Sequence, residues 1–124
     1  MSQQNTNNDY VISITNFDQD PDRVAVPLAL ANNALAMGSN VLIWLTLEAV
    51  QLAKKGGSNG LTPKSFPAIT ELLDIFQESG GKIGVCPPCA KTHGVSEENL
   101  VENASWMGAA ALLEQSQGKQ AVWF

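Results

Sequence analysis

The chain has 124 residues, one domain's worth, with 44% hydrophobic and 15% charged residues, so it holds enough apolar material for a real core. A net charge of −5 and no basic cluster larger than Lys54-Lys55 leave out the electrostatic footprint of a nucleic-acid binder. No apolar run approaches the roughly 18 residues that cross a bilayer, and two cysteines three positions apart are no disulfide framework. The expectation is a cytoplasmic protein with no membrane and no nucleic-acid partner.

In chain order, Met1 to Asn8 has neither a basic nor an apolar region and reads as a disordered polar tail, leaving residues 9–124 as the domain. Tyr10 to Thr15 is β-branched and bounded by turn formers, which predicts a buried strand. A loop follows over Asn16 to Asp22, where Asp18, Asp20 and Asp22 read as helix-capping residues rather than a metal cluster. A helix is expected from Arg23 to Met37, stopped by Gly38, with Pro27 awkward unless the first turn begins near Val24.

Val41 to Thr46 is a near-continuous apolar run, as expected of a strand covered on both faces. A short helix over Leu47 to Lys55 leads into the flexible loop Gly56 to Gly60. Ser65 to Ser79 places Ile69, Leu72, Leu73 and Phe76 on one helical face, closed by Gly80-Gly81. Lys82 to Val85 is a short strand running into Cys86. Ser96 opens an S-x-x-N cap, Ala104 to Gln115 reads as an Ala-rich helix, and Ala121 to Phe124 as the last strand. Strands alternating with helices imply a single-domain α/β fold, a three-layer α/β/α sandwich on a mainly parallel sheet of four to five strands.

In such a sheet, ligands bind outside the carboxyl ends of the strands. Cys86 stands at that end of its strand, in the turn Cys86-Pro87-Pro88-Cys89-Ala90-Lys91-Thr92-His93-Gly94-Val95. Asn16 and Phe17 follow the first strand and Thr46 ends the second, which makes them candidate pocket residues on the same edge. A thiol at a helix start meets the positive end of the helix dipole and free N–H groups, both favouring the thiolate. Pro87 and Pro88 suit the first helical positions but carry no N–H, so Cys89 and Ala90 must supply the donors. With Lys91 and His93 adding positive charge, a lowered Cys86 pKa is expected, though less lowered than a proline-free turn would give.

Three uses of the pair stay open on these residues. Both cysteines can be small buried hydrophobes, or C-x-x-C at a helix start can be a dithiol redox pair. A metal reading has only three donors, Cys86, Cys89 and His93, too few to close a tetrahedron within one chain. No resident cofactor is expected. Trp106 and Met107 are placed at a helix start near the turn, to line the pocket or an oligomer contact, with core packing the leading reading for Met107, and Trp44 in the core or an interface.

From Tyr10 to Phe124 the chain resembles the DsrE/DsrF-like family of small sulfur-relay proteins, which includes the TusD and YchN types. The resemblance rests on four features. The first is the strand, loop and Asp-Pro-Asp-Arg helix ending Ala34-Leu35-Ala36-Met37-Gly38, followed by Asn40 to Leu45. The others are the Gly-containing loop and amphipathic helix before Gly80-Gly81, a cysteine eight residues ahead of Gly94-Val95, and the small-residue helix before the terminal apolar strand. It implies a mainly parallel α/β sandwich assembled as a homo- or hetero-oligomer, often a trimer or hexamer, with sulfur-donor and sulfur-acceptor proteins as partners. By its spacing to Gly94-Val95, Cys86 takes the place of the family's sulfur-accepting cysteine, carrying sulfur as a persulfide. Cys89 has no required role in that pattern, and a resolving thiol is one it can fill. Thr92 and His93 stand where relay-type members usually have arginines.

Overall fold

The computed structural model describes residues 8–124; the polar tail read over residues 1–8 falls outside them except for Asn8. Strand β1 (Tyr10–Ile14) lies inside a five-stranded sheet, between β2 (Val41–Leu45) and the edge strand β5 (Gln120–Trp123). Beyond β2 come β3 (Lys82–Val85) and β4 (Ala104–Trp106), giving the order β4-β3-β2-β1-β5 with every neighbouring pair parallel.

Helix α1 (Pro21–Ala36) starts two residues earlier than its apolar pattern suggests. The Asp20 carboxylate accepts from the Asp22 N–H at 3.2 Å, and Pro21 occupies the first helical position, where its missing N–H costs nothing. Pro27 therefore lies in the helix interior and removes the bond the Arg23 carbonyl would otherwise accept. Asp22 reaches outward instead, accepting from the Lys64 and Ser65 N–H groups at 3.1 and 3.0 Å. Two of the three aspartates thus organise backbone.

Helix α2 (Ile69–Glu78) starts four residues later than the expected Ser65; Pro67 disfavours helical backbone at the residue before it. Its face Ile69, Leu72 and Phe76 is buried as the spacing requires. The short helix after β2 is a 3-10 turn over Leu47–Ala53. The larger revision concerns Ala104 to Gln115. Ser105 and Trp106 pair with Gly84 and Val85 as part of β4, and only Ala109–Gln115 forms the helix, α4, capped by Gly108.

The two faces of the sheet are covered unequally, and topology gives the reason. Going from β1 to β4, each connection steps the same way along the sheet, so right-handed crossovers place α1, α2 and α3 (Pro87–Thr92) on one face. The return from β4 to β5 runs the opposite way, and α4 lands on the other. The main core accordingly joins Ile12, Ile14, Ile43, Leu45, Ile83 and Val85 to α1, α2 and the 3-10 turn. A separate small cluster joins Val11 and Leu42 to Leu112 of α4, with Trp44 and Met107 against it. The second layer is thin, since α4 has seven residues.

Candidate functional site

By the topological rule for open parallel sheets, a binding crevice opens where neighbouring strands send their carboxyl-end connections to opposite faces. Here those strands are β3, which exits through Cys86 to α3, and β4, which exits through Met107-Gly108 to α4. The two turns are adjacent: the Met107 N–H donates to the Val85 carbonyl at 2.8 Å. A Cβ on Gly108 would stand 4.0 Å from Pro87 Cδ. On the other side, the Cys86 N–H donates to the Leu45 carbonyl at 3.1 Å, bringing Thr46 abreast of the cysteine.

Why Cys86 and Gly94 stand eight residues apart is now plain. Cys86 is the N-cap of α3, with Pro87 and Pro88 preset in its first two positions. Six residues on, the helix ends at His93, and Gly94 takes the left-handed conformation (φ +72°). The Val95 N–H then folds back onto the Ala90 carbonyl at 2.9 Å, while Val95 and Ala90 are both buried. That is a Schellman closure with its hydrophobic contact. The cysteine-to-Gly-Val spacing is the length of one two-turn helix.

Both cysteines are free thiols and half-buried, and Cys89 packs against the main core. Contrary to the sequence-based expectation, the Cys86 pKa is raised from the ordinary 9.0. Burial pushes it up most; the Cys89 N–H, which faces the Cys86 sulfur, pulls it down; the Cys89 thiol pushes it up again through its hydrogen bond and its charge. The prolines explain the balance. Two of the donors a helix start normally offers an N-cap are missing, and the one that remains falls short of a full cap bond.

The other candidates are spread along the sheet edge. Lys91 lines a shallow depression of about 450 Å³ on the outside of α3, with Pro87, Ala90, Val95 and Trp106. His93 closes the far end of α3, roughly 10 Å from Cys86 along the axis. Among the described residues, no three His, Cys, Asp or Glu side chains cluster as a metal site, so Cys86, Cys89 and His93 are not brought together as ligands. Phe17 is 9% exposed and belongs to the core. Asn16 lines a different cavity of about 350 Å³, with Asp20, Asp22, Arg23, Val26 and Phe124.

Two features of the site go beyond what the residue pattern predicts. Leu47, just past Thr46, is 57% exposed and holds φ +53°, a conformation costing a non-glycine residue about 1–3 kcal/mol. Met107 lies across β3, where a Cβ on Gly84 would meet its Sδ at 2.8 Å, and its carbonyl accepts from the Trp44 indole N–H at 2.9 Å. Gly84 in the strand Lys82-Ile83-Gly84-Val85 was the available signal, since an interior strand glycine often marks a close approach.

Fold and site together define an open parallel α/β domain with a half-buried dithiol at its topological switch point. Residues 9–124 match the model of the DsrE/DsrF-like family, and the chain belongs to that family. It is similar to uncharacterized protein MK0008 of Methanopyrus kandleri, 37% identical over 74% of this chain and 71% of that one. Uncharacterized protein MJ0989 of Methanocaldococcus jannaschii is 35% identical over 77% of this chain and 80% of its own. Among solved structures, the ychN protein from E. coli superposes with a TM-score of 0.77 at 17% identity, covering 94% of this chain and 99% of that one. That likeness concerns the fold. No helix among the described residues is long and apolar enough to cross a membrane.

Proposed function

We propose that this protein carries sulfane sulfur as a persulfide on Cys86. The observation that supports it best is the position of Cys86: N-cap of a rigid helix at the switch point, in a family whose cysteine-to-Gly-Val spacing this helix embodies. In the loading step the Cys86 thiolate attacks the outer sulfur of a donor persulfide. A new S–S bond forms at Cys86, and the donor leaves as its thiol. In the second step an acceptor thiolate attacks the outer sulfur of Cys86–S–SH, takes it as a persulfide and returns Cys86 to the thiol. No oxidant is consumed. A hydropersulfide is a stronger acid than its parent thiol, so the Cys89 N–H, the one donor facing the sulfur, has more charge to stabilise after loading than before.

The donor and the acceptor are proteins or small thiols able to reach a half-buried sulfur. A homo-oligomer, trimer or hexamer, belongs to the same proposal. Trp123 and Leu113, 62% and 68% exposed on the thin side of the sheet, support burial against further copies. Size-exclusion chromatography with light scattering tests it, and a monomer at micromolar concentration contradicts it.

Incubating the Cys89→Ser protein with a persulfide donor, followed by peptide mass mapping, tests the carrier itself. One added sulfur on the peptide holding Cys86 is expected, and none in Cys86→Ser. A Cys89→Ser protein that gains no sulfur contradicts the proposal.

A further inference from the structure

Cys89 has no part in the two transfers above, yet its placement is specific. With Cys86 at the N-cap and Cys89 three positions on, the two side chains leave the same face of the helix start, where such pairs stand about 5–6 Å apart at Cβ. A disulfide needs about 3.5–4.5 Å at Cβ, so the start of α3 must tighten by about 1–2 Å to bridge them, and the Cys89 thiol already meets the Cys86 sulfur through a side-chain hydrogen bond. Pro87 and Pro88 restrict the intervening backbone, so the two thiols are held as neighbours on a helix start and not on a flexible loop. Packing gives no reason for a second sulfur here, because Cys89 only skirts the core, while Ala90 beside it is fully buried and seals the helix.

We infer that Cys89 is a resolving thiol that limits how long Cys86 holds its sulfur, diverting the persulfide to sulfide when no acceptor arrives. This rests on the carrier reading of Cys86. The two sulfurs of Cys86–S–SH face different fates. The inner sulfur stays beside Cys89, while the outer one is the atom an acceptor attacks. Attack by the Cys89 thiolate on the inner sulfur forms the Cys86–Cys89 bond and breaks the bond to the outer sulfur, which leaves as hydrosulfide. The balance is Cys86–S–SH plus Cys89–SH giving the Cys86–Cys89 disulfide plus hydrogen sulfide. Two electrons pass from the thiols to the sulfane sulfur, and the protons end on the sulfide. Returning the disulfide to the dithiol needs an external dithiol reductant, which this step does not supply. The protein then partitions bound sulfur between transfer and reductive release, and acceptor concentration sets the ratio.

The test loads the full-length reduced protein with glutathione persulfide, removes the donor, and follows free sulfide and intact mass with time. The wild type is expected to release one sulfide per chain and to end as the Cys86–Cys89 disulfide. Cys89→Ser and Cys89→Ala, each checked for a native circular-dichroism melt, are expected to keep the sulfur on Cys86 on the order of tenfold longer or more, because an intramolecular thiol has been removed. Adding a small-molecule acceptor thiol is expected to lower sulfide release by the wild type in proportion to persulfide captured. Equal persistence in the wild type and both variants, with no internal disulfide, overturns the resolving role and leaves the carrier reading standing. Failure of the Cys89 variants to take up sulfur removes the carrier reading and this inference with it.

Discussion

The carboxyl ends of β1 and β3 lie two strands apart on one sheet edge and use it in opposite ways. After β1, a six-residue loop with two aspartates opens a cavity of about 350 Å³ containing Asn16 and no sulfur. After β3 there is no loop: the strand passes through Cys86 directly into a six-residue helix whose start abuts the Met107-Gly108 turn. The shallow depression of about 450 Å³ along α3 lies at this second end. Chain geometry favours the β3 end, because only there do neighbouring connections diverge to opposite faces, and the helix that follows is held at both ends, by two prolines and by Gly94.

Three substitutions or titrations sharpen this contrast, beginning with the largest effect. Phe17→Ala removes a core ring at the β1 end and is expected to cost about 3–5 kcal/mol in urea unfolding, while sulfur loading of Cys86 stays intact. Loss of loading in a folded Phe17→Ala protein would tie the two ends together. At the β3 end, a Cβ on Gly94 meets nothing within 4 Å, so the penalty of Gly94→Ala is purely conformational. About 1–2 kcal/mol is expected from holding alanine at positive φ, with Gly94→Asn closer to the wild type. A cost near zero in chemical denaturation would mean that the Schellman closure does not set the end of α3.

The smallest effect is in pH. Because Cys86 is raised above 9.0, its thiolate appears only in more alkaline solution. Its alkylation by iodoacetamide, followed by peptide mass mapping, is expected to rise with a midpoint above 9.0. Cys89→Ala removes the neighbouring thiol's upward push and is expected to bring that midpoint down. The folded state also keeps the Cys86 proton longer than the unfolded chain does. Stability therefore falls as pH rises from the ordinary thiol value, 9.0, through the raised one. A midpoint below 9.0 in the wild type would show that the Cys89 N–H outweighs burial.

Much of this was legible in the residues. The apolar runs at Tyr10–Thr15 and Val41–Thr46, the Gly38 stop, the face of α2 and the strand ending at Cys86 all follow from local pattern. What pattern missed has identifiable causes. Ala104-Ser105-Trp106 was absorbed into a helix because the alanines and leucines after it are strong helix formers; its strand identity comes from pairing with Gly84-Val85, a contact distant in sequence. The start of α1 was read late because Asp20 and Pro21 carry a cap and not an apolar repeat. Cys86 itself was found correctly as the sulfur at the strand end, yet its pKa was expected on the wrong side of normal. The missing proline donors were counted, but burial and the Cys89 thiol depend on packing that one sequence does not display. The pocket assignment of Phe17 faltered for the same reason, since a side chain following a strand can turn inward to the core.

The central claim, that sulfur travels through Cys86, is tested most directly with isotopically labelled sulfane sulfur. The label is followed from a donor persulfide onto the protein and then to an acceptor thiol, in the wild type, Asn16→Ala and Cys86→Ser. Passage through the wild type and Asn16→Ala alike, with none through Cys86→Ser, is the result expected. Label that reaches the acceptor equally well with Cys86→Ser would contradict the account.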